Sequence, residues 1–387
     1  MDEIKQRQRA SERFQDGESA EAICASLGRS RSWLYKWLRR EETAGNEWAQ
    51  SLSRRPHASP RQTAPDREQQ ILAIRQTLVR ERRFYGAQAI AWEMADRGLP
   101  TVPVRTIDHV LKRHGQIATP ARRYVSKGKP YPAPPARHPN ALHQIDLVGP
   151  RHLRGPVRFY SLHAVDRFTG RVAVQPLYAR AAQDVLDALW AIWQRLGIPS
   201  ALQADNESTF LGGTLHPRVL GCLVRLCLEH RVQPYFIPLA EPWRNGVVER
   251  FNNQYQQKFL HRVAMESRAD LERESLAMET RHNRSWRYSK LGGLTPLQCL
   301  ENSGAALRFP ATERAPRHPL PKPRRGRFHF LRLIRSDLLL PVLNETFPMP
   351  AHLAHEYVRA TIDVKEQRLF VFHERRLVKQ FPYRLRD

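Results

Sequence analysis

Hydrophobic positions change their period along this chain. Up to about residue 116 they recur at helical spacing, and from residue 141 they cluster and alternate as strands do, with helical stretches between. Near the N-terminus, Ile23 and Leu27 precede Gly28, and Leu34 and Leu38 follow it. The spacing predicts a helix, a turn and a second helix, with Ser30 or Ser32 as the second helix's cap. A second helical unit follows in "DREQQILAIRQTLVRERRF", "GAQAIAWEMADRG" and "VPVRTIDHVLKRHG". There Ile71, Ile74 and Leu78, then Ile90 and Met94, hold the same period, and the third helix follows a turn at Gly98 and Pro100.

From residue 141, "ALHQIDLVG", "RFYSLHAVDRF" and "RVAVQPLYA" read as three strands, with "RFTG" as a hairpin corner between the last two. "AQDVLDALWAIWQRLG" reads as a helix, "SALQAD" as a fourth strand, "HPRVLGCLVRLCLEHR" as a helix, "QPYFIP" as a fifth strand and "RNGVVERFNNQYQQKFLHR" as a helix. Three strands followed by alternating helix and strand predict a mixed α/β sheet with helices on its faces. From about residue 328, "FHFLRLIR", "YVRATIDV", "RLFVFHE" and "RLVKQFPY" are strand-like and predict a small all-β barrel or sandwich.

The expected organisation is therefore multidomain. Residues 1–45 and 65–116 form two all-α helix-turn-helix units, 140–305 a central α/β core and 328–387 a C-terminal β-barrel. Residues 117–139 and 306–327 are basic, proline-rich linkers. The stretch 112–137 alone holds seven Lys/Arg, five Pro and no acid.

Charge narrows the choice of partner. Sixty-three Lys+Arg against 38 Asp+Glu give a formal net charge of +25, which favours nucleic acid or an acidic surface and says nothing of fold. The two helical units place basic residues where a recognition helix would carry them: Arg29, Arg31, Lys36, Arg39 and Arg40 in the first, Arg105, Lys112 and Arg113 in the second. No apolar run approaches the length of a membrane span, and the charged N-terminus shows no secretory signal. Cys24, Cys222, Cys227 and Cys299 lack metal-site spacing and read as reduced, mostly buried thiols, which suits a cytosolic setting.

Three acids stand in recognisable settings. Asp146 lies in "HQIDLVGP", Asp205 in "LQADNESTF" and Glu249 in "EPWRNGVVERFNN". The first two end apolar runs, where an α/β sheet gathers its functional groups. If the first and fourth strands are neighbours, the aspartates lie side by side and the helix brings Glu249 across from them. Oxygen ligands of this kind suit a hard divalent cation, and two such ions at a phosphodiester activate the attacking oxygen and stabilise the leaving one. Asn245, Glu249, Asn252 and Gln256, at steps of four, three and four, share one helical face.

These segments, with the later "NRSWRYSKLGGLTPLQCL", resemble the bacterial insertion-sequence transposases of the retroviral-integrase superfamily. Pro242, Asn245, Gly246, Glu249, Arg250 and Asn252 all match that family's catalytic helix. The resemblance implies an RNase H-like core with a DDE triad of Asp146, Asp205 and Glu249, holding two Mg²⁺ or Mn²⁺ ions. It implies metal-dependent cutting of an element's end to release a 3′-hydroxyl, and attack of that hydroxyl on target DNA. Double-stranded terminal-repeat and target DNA are the expected partners, contacted through Arg29, Arg31, Lys36, Arg39, Arg105, Lys112, Arg244, Asn245 and Asn252. Two ends must be joined, so at least a dimer on DNA is expected, in the cytoplasm with the nucleoid. No Gly-x-x-x-x-Gly-Lys motif occurs, so any ATPase partner would be a separate chain.

The chain departs from the family at Glu207, which follows the Asp205–Asn206 pair where glycine is common, and in the long interval between Asp205 and Glu249. A catalytically dead DNA-binding regulator and an RNase H-like nuclease that hydrolyses without joining are the alternatives. Strand joining separates the transposase from both.

Overall fold

The computed structural model describes residues 3–45, 47–52, 62–117, 129–153, 157–212 and 217–386. Residues 118–128 of the basic stretch expected as a linker over 117–139 lie outside the described residues. The chain divides into two compact units, residues 1–64 and 65–387.

The first unit is built from helices α1 (Glu3–Gln15), α2 (Ala20–Leu27) and α3 (Arg31–Thr43). Gly28 ends α2 in the left-handed region at φ 64°, and the Ser30 hydroxyl accepts from the Trp33 amide at 3.2 Å to start α3. Ala10, Ile23, Cys24 and Leu34 make its core. Trp37, which the sequence reading passed over, is also buried and lies 3.9 Å under the Arg7 guanidinium.

The second unit opens with α4 (Pro65–Arg80), α5 (Ala87–Asp96) and α6 (Val104–Arg113), packed around Ile71, Ile74, Leu78, Ile90, Met94 and Ile107. The core follows as strands β1 (Leu142–His152), β2 (Arg158–Asp166) and β3 (Val172–Leu177), helix α7 (Ala182–Leu196), β4 (Ala201–Ala204), α8 (Ser208–Leu211), α9 (Cys222–Glu229), β5 (Gln233–Phe236), α10 (Gly246–Tyr255), α11 (Arg268–Ser285) and α12 (Pro296–Ser303). The C-terminal strands are β6 (Arg327–Leu333), β7 (Leu339–Val342), β8 (Glu345–Pro348), β9 (Tyr357–Asp363), β10 (Arg368–His373) and β11 (Arg376–Pro382).

The helical unit docks on the core. Lys258 Nζ stands 4.2 Å above the Phe84 ring and 4.4 Å above that of Trp286, and donates to the Arg83 carbonyl at 3.3 Å. Nine strands form one sheet in the order β11-β10-β9-β6-β5-β4-β1-β2-β3. Alternate residues of β2 and β3 face opposite layers. Leu162, Ala164 and Ala173 pack with α7 and α9, whereas Phe159, Val165, Val172 and Val174 pack with α10 and α11.

The tail corrects the sequence reading. Its strands are where the pattern placed them, but they form no separate barrel. β6 pairs in parallel with β5, Tyr235 opposite His329 and Phe236 opposite Phe330, so the tail extends the core sheet, while β7 and β8 make a small hairpin of their own. Phe236 and Phe330 stack with ring centres 5.2 Å apart, both fully buried. The basic segment before it is likewise held on the core. Trp190 Nε1 donates to the Thr312 carbonyl at 3.0 Å and Arg225 to that of Leu320 at 2.8 Å. The fourth-strand-to-first-strand neighbourhood expected from the sequence is present, with β1 and β4 paired in parallel. Among the described residues no helix is long and apolar enough to cross a membrane, and the four cysteines are free thiols.

Candidate active site

Asp146 and Asp205 are set by one register. Gln144 of β1 lies opposite Gln203 of β4, so two residues on, Asp146 and Asp205 stand at the same level on adjacent strands. Each strand carries Gln-x-Asp, and residues two apart in a strand point to the same face. The glutamines are almost wholly buried and hold the start of α10. Gln144 Oε1 accepts from the amides of Val247 at 3.1 Å and Val248 at 3.3 Å, capping that helix, and Gln203 Nε2 donates to the Arg244 carbonyl at 3.0 Å. Asn245, also buried, donates to the Ile145 carbonyl at 2.8 Å. Helix α10 is thereby clamped to the two acidic strands from its first turn, and Glu249 rides on it.

Asn252, one turn on from Glu249, donates to Asp146 Oδ2 and accepts at 2.7 Å from His163 Nδ1. His163 Nε2 in turn meets the Ser161 hydroxyl at 3.0 Å. With the Asn252 amide committed to Asp146, its oxygen faces His163, so Nδ1 carries the proton and Nε2 accepts. Burial pulls His163 down to about 4 and keeps it neutral.

All three carboxyls are pushed upward. Burial and then the Asp205 charge raise Asp146 to about 6, although Asn252 and the Leu147 amide oppose this. Burial raises Asp205 against the pull of Arg180, and burial followed by Asp205 raises Glu249. The three acids thus lie close enough to repel. Among the described residues, no three His, Cys, Asp or Glu side chains are drawn together into a ready-made metal cage. The donor set is all oxygen and mutually repelling. It fits a Mg²⁺-type ion, which takes few carboxylates and completes its shell with water and phosphate.

Glu207, the departure noted in the sequence, is turned to Arg180, with which it pairs. Its backbone amide donates to Asp205 Oδ1 at 3.2 Å, closing the turn that glycine would otherwise serve. The adjacent Asn206 donates to the Ile237 carbonyl at 2.7 Å and accepts from Arg332 at 2.8 Å.

The residues assigned to DNA separate into two groups. Arg29, Arg31, Lys36, Arg39, Arg105 and Lys112 are all exposed, although Arg29 donates to Gln6, Arg31 pairs with Glu21 and Lys112 pairs with Asp108 at 2.7 Å. Arg244, Asn245 and Asn252 are turned inward. Arg244 pairs with Glu241 at 2.8 Å, donates to the Tyr357 hydroxyl and the Lys129 carbonyl at 2.9 Å each, and lies 4.4 Å from the Tyr131 ring centre. These three brace the site from within rather than offering a surface to DNA. The α-helical period reaches Gln256, whose amide donates to the Asn252 carbonyl four residues back, and from there the helix widens into a π-type turn over Gln256–Leu260.

Sequence reasoning missed Gln144, Gln203, His163 and Arg332. A signal existed for the glutamines alone, in the repeated Gln-x-Asp at the end of two otherwise apolar strands.

Comparison with known proteins places a homeodomain-like domain at residues 1–45 and an integrase core domain at residues 230–296, the latter spanning the Glu249 helix. No curated protein sequence matches the chain. Solved structures similar to it include the integrase catalytic core domain of HTLV-2 in complex with magnesium. Its dimeric form is 19% identical, with 43% of this chain and 99% of that one covered at a TM-score of 0.33. The trimeric form gives 18% identity with the same coverage and score. The two family matches are consistent with an insertion-sequence transposase of the integrase superfamily.

Proposed function

We propose that this protein is a DDE transposase that binds the ends of a mobile element, cuts them and joins them to target DNA in a metal-dependent reaction. One observation carries the reading: a single strand register and one clamped helix bring Asp146, Asp205 and Glu249, from three distant parts of the chain, into mutual electrostatic reach.

Asp146, Asp205 and Glu249 would hold two Mg²⁺ or Mn²⁺ ions, which when bound supply activation of the attacking oxygen and stabilisation of the leaving one. The chain's own residues do the positioning. Gln144 and Gln203 fix α10 against β1 and β4. Asn252 orients Asp146, and Asn206 with the Glu207 amide shapes the Asp205 turn. No side chain forms a covalent bond to DNA in this scheme. Water attacks first, and the released 3′-hydroxyl attacks the target phosphodiester.

The exposed Lys36, Arg39 and Arg105 would supply phosphate and base contacts from the helical units, giving steep salt dependence. Pairing of two ends calls for at least a dimer on DNA. The Glu207–Arg180 pair weakens the argument for a dead regulator, since the charge of the extra acid is matched by Arg180.

A strand-transfer assay on element-end DNA with Mg²⁺ or Mn²⁺, wild type beside Glu249→Gln, tests the reading. Joined product from wild type alone is the expected result. Hydrolysis without joining would assign a nuclease instead, and binding with neither reaction a regulator.

A further inference from the structure

A cleft of about 520 Å³ separates the α4–α6 unit from the core, on a flank of α10 that the triad does not use. That size lies within the range of ligand sites. Trp92 and Tyr288 supply aromatic walls, and Arg167, Arg250 and Lys290 line it with positive charge.

Arg167 is half-buried in the cleft, and Arg250 and Lys290 are exposed at its rim. Some part-buried arginines are matched to acids: Arg195 with Glu279 at 3.0 Å, Arg218 with Glu345 at 2.8 Å, and Arg287, at the edge of this cleft, with Asp96 at 2.9 Å. Among the described residues, Arg167, Arg250 and Lys290 have no side-chain hydrogen bond and no ion pair. Lys290 reaches only the Tyr288 ring, at 6.0 Å. The one acid that acts on it, Asp166, has its oxygens engaged by the Thr169 amide and hydroxyl and the Phe168 amide. Burial first, and then the charges of Arg167 and Arg250, push the Lys290 ammonium down, against the pull of Asp166. Like charges gathered without a counter-ion work against folding, and an anion placed among them relieves that strain.

We propose that this cleft is a second DNA-contact site, in which Arg167, Arg250 and Lys290 hold a phosphodiester of the strand and Trp92 and Tyr288 offer faces to its sugar and base. The inference rests on the proposed function only in taking DNA as the ligand. Cations recognise the phosphate backbone, and aromatic faces stack on any base without sequence preference. The placement suits a strand on its way to the triad. Arg250 follows Glu249 directly, about 100° further round the same helix, so DNA crossing α10 meets the cleft and the acids in succession.

The test compares the full chain with an Arg167→Gln/Lys290→Gln double variant, measuring binding of element-end duplex over a series of salt concentrations. Each lost phosphate contact lowers the slope of log K against log salt by about one. The expected result is a slope smaller by about two and binding at least tenfold weaker at low salt. The DNA-free melting temperature should be unchanged or raised, because two repelling charges are gone. Unchanged slope and affinity in a folded variant overturn the proposal. Inorganic phosphate forms a second arm. Phosphate stabilisation that is lost in the variant, beside an unchanged DNA slope, would make this a free-anion site and overturn the DNA assignment. Strand joining by the same wild-type preparation separates the two readings: joining with an unchanged slope sinks the cleft alone, whereas a wild type that binds no DNA sinks both.

Discussion

Arg332, on the first strand of the C-terminal segment, donates at 2.8 Å to the side-chain oxygen of Asn206, the residue that follows Asp205. Its other nitrogens go to the carbonyls of Ile237 at 2.9 Å and Pro341 at 3.0 Å. It is almost wholly buried with no carboxylate partner, and desolvation alone pulls it down to about 9. Asn206 closes the triangle by donating to the same Ile237 carbonyl at 2.7 Å. The tail therefore helps to hold the turn that presents the second acid.

Asn206→Ala removes that link without emptying the Arg332 site. The expected outcome is a folded protein with wild-type DNA affinity and turnover reduced by about 10²-fold, the scale attached to a misplacement of about 1 Å. Arg332→Met strands the carbonyls it served and should also lower stability by about 1–3 kcal/mol for each acceptor left unpaired. Urea unfolding beside single-turnover cutting distinguishes the two effects. Wild-type turnover in Asn206→Ala would show that the turn holds without the tail.

A chain ending after residue 305 should not yield a folded core. Truncation there uncovers the β5 edge and the buried face of Phe236, and the loss of Phe236–Phe330 packing costs roughly 1.5–3 kcal/mol for each ring exposed. Tyr357 leaves as well, and its hydroxyl donates to Glu241 at 2.7 Å, beside Arg244 at the foot of α10. Near-UV circular dichroism and limited proteolysis of the truncated chain measure this. A cooperative, protease-resistant fragment would return the tail to the status of a separate domain.

The parts of the site that were legible in the sequence are those with local signals. Asp146 and Asp205 end apolar runs, and Glu249 sits in a distinctive helical motif. The parts that were hidden depend on contacts across long separations. Nothing near residue 330 announces a parallel pairing with β5 some ninety residues earlier, so four strands in sequence read as a barrel of their own. Arg244 stands in the same motif as Glu249 and reads as a DNA contact. Only the approach of Glu241, Tyr357 and Tyr131 shows that its charge and hydrogen bonds are spent inside. The helical units were legible almost throughout, because their Gly and Ser boundaries act within a single turn of chain.

The metal-free triad should cost stability, with a defined dependence on pH. Asp146 rises from 3.8 to about 6 in the folded chain, so the native state holds its proton more tightly than the unfolded state does. Stability contributed by the protonated form is present at low pH and lost as pH rises through that window. The charged carboxylate then costs roughly 3 kcal/mol above the folded value. Asp146→Asn should therefore stabilise the metal-free protein by about 1–3 kcal/mol at pH 7, with the gain shrinking towards zero near pH 4, while abolishing cutting. Added Mg²⁺ or Mn²⁺ should raise the melting temperature of wild type and leave that of the variant nearly unmoved. A variant less stable than wild type at pH 7 would count against a repulsive, cation-seeking site.

The His163 chain makes the finest-grained prediction. Asn252 can orient Asp146 only while its amide nitrogen faces the acid, and His163 Nδ1–H, at 2.7 Å from its oxygen, enforces that orientation. His163→Leu leaves the Asn252 oxygen without a donor in a buried setting, at a cost of about 1–3 kcal/mol. It also frees the amide to turn its oxygen toward Asp146, where lone pairs oppose lone pairs. Turnover should fall about tenfold or more, on the same geometric argument as a small misplacement, and DNA affinity should hold. His163→Gln keeps a donor in reach and should recover part of the rate. Because burial keeps His163 neutral at about 4, its ring nitrogens should show one fixed tautomer by NMR from pH 5 to 8, with Nδ1 protonated. A ring that titrates near 6.5, or a leucine variant that turns over at the wild-type rate, would remove His163 from the site.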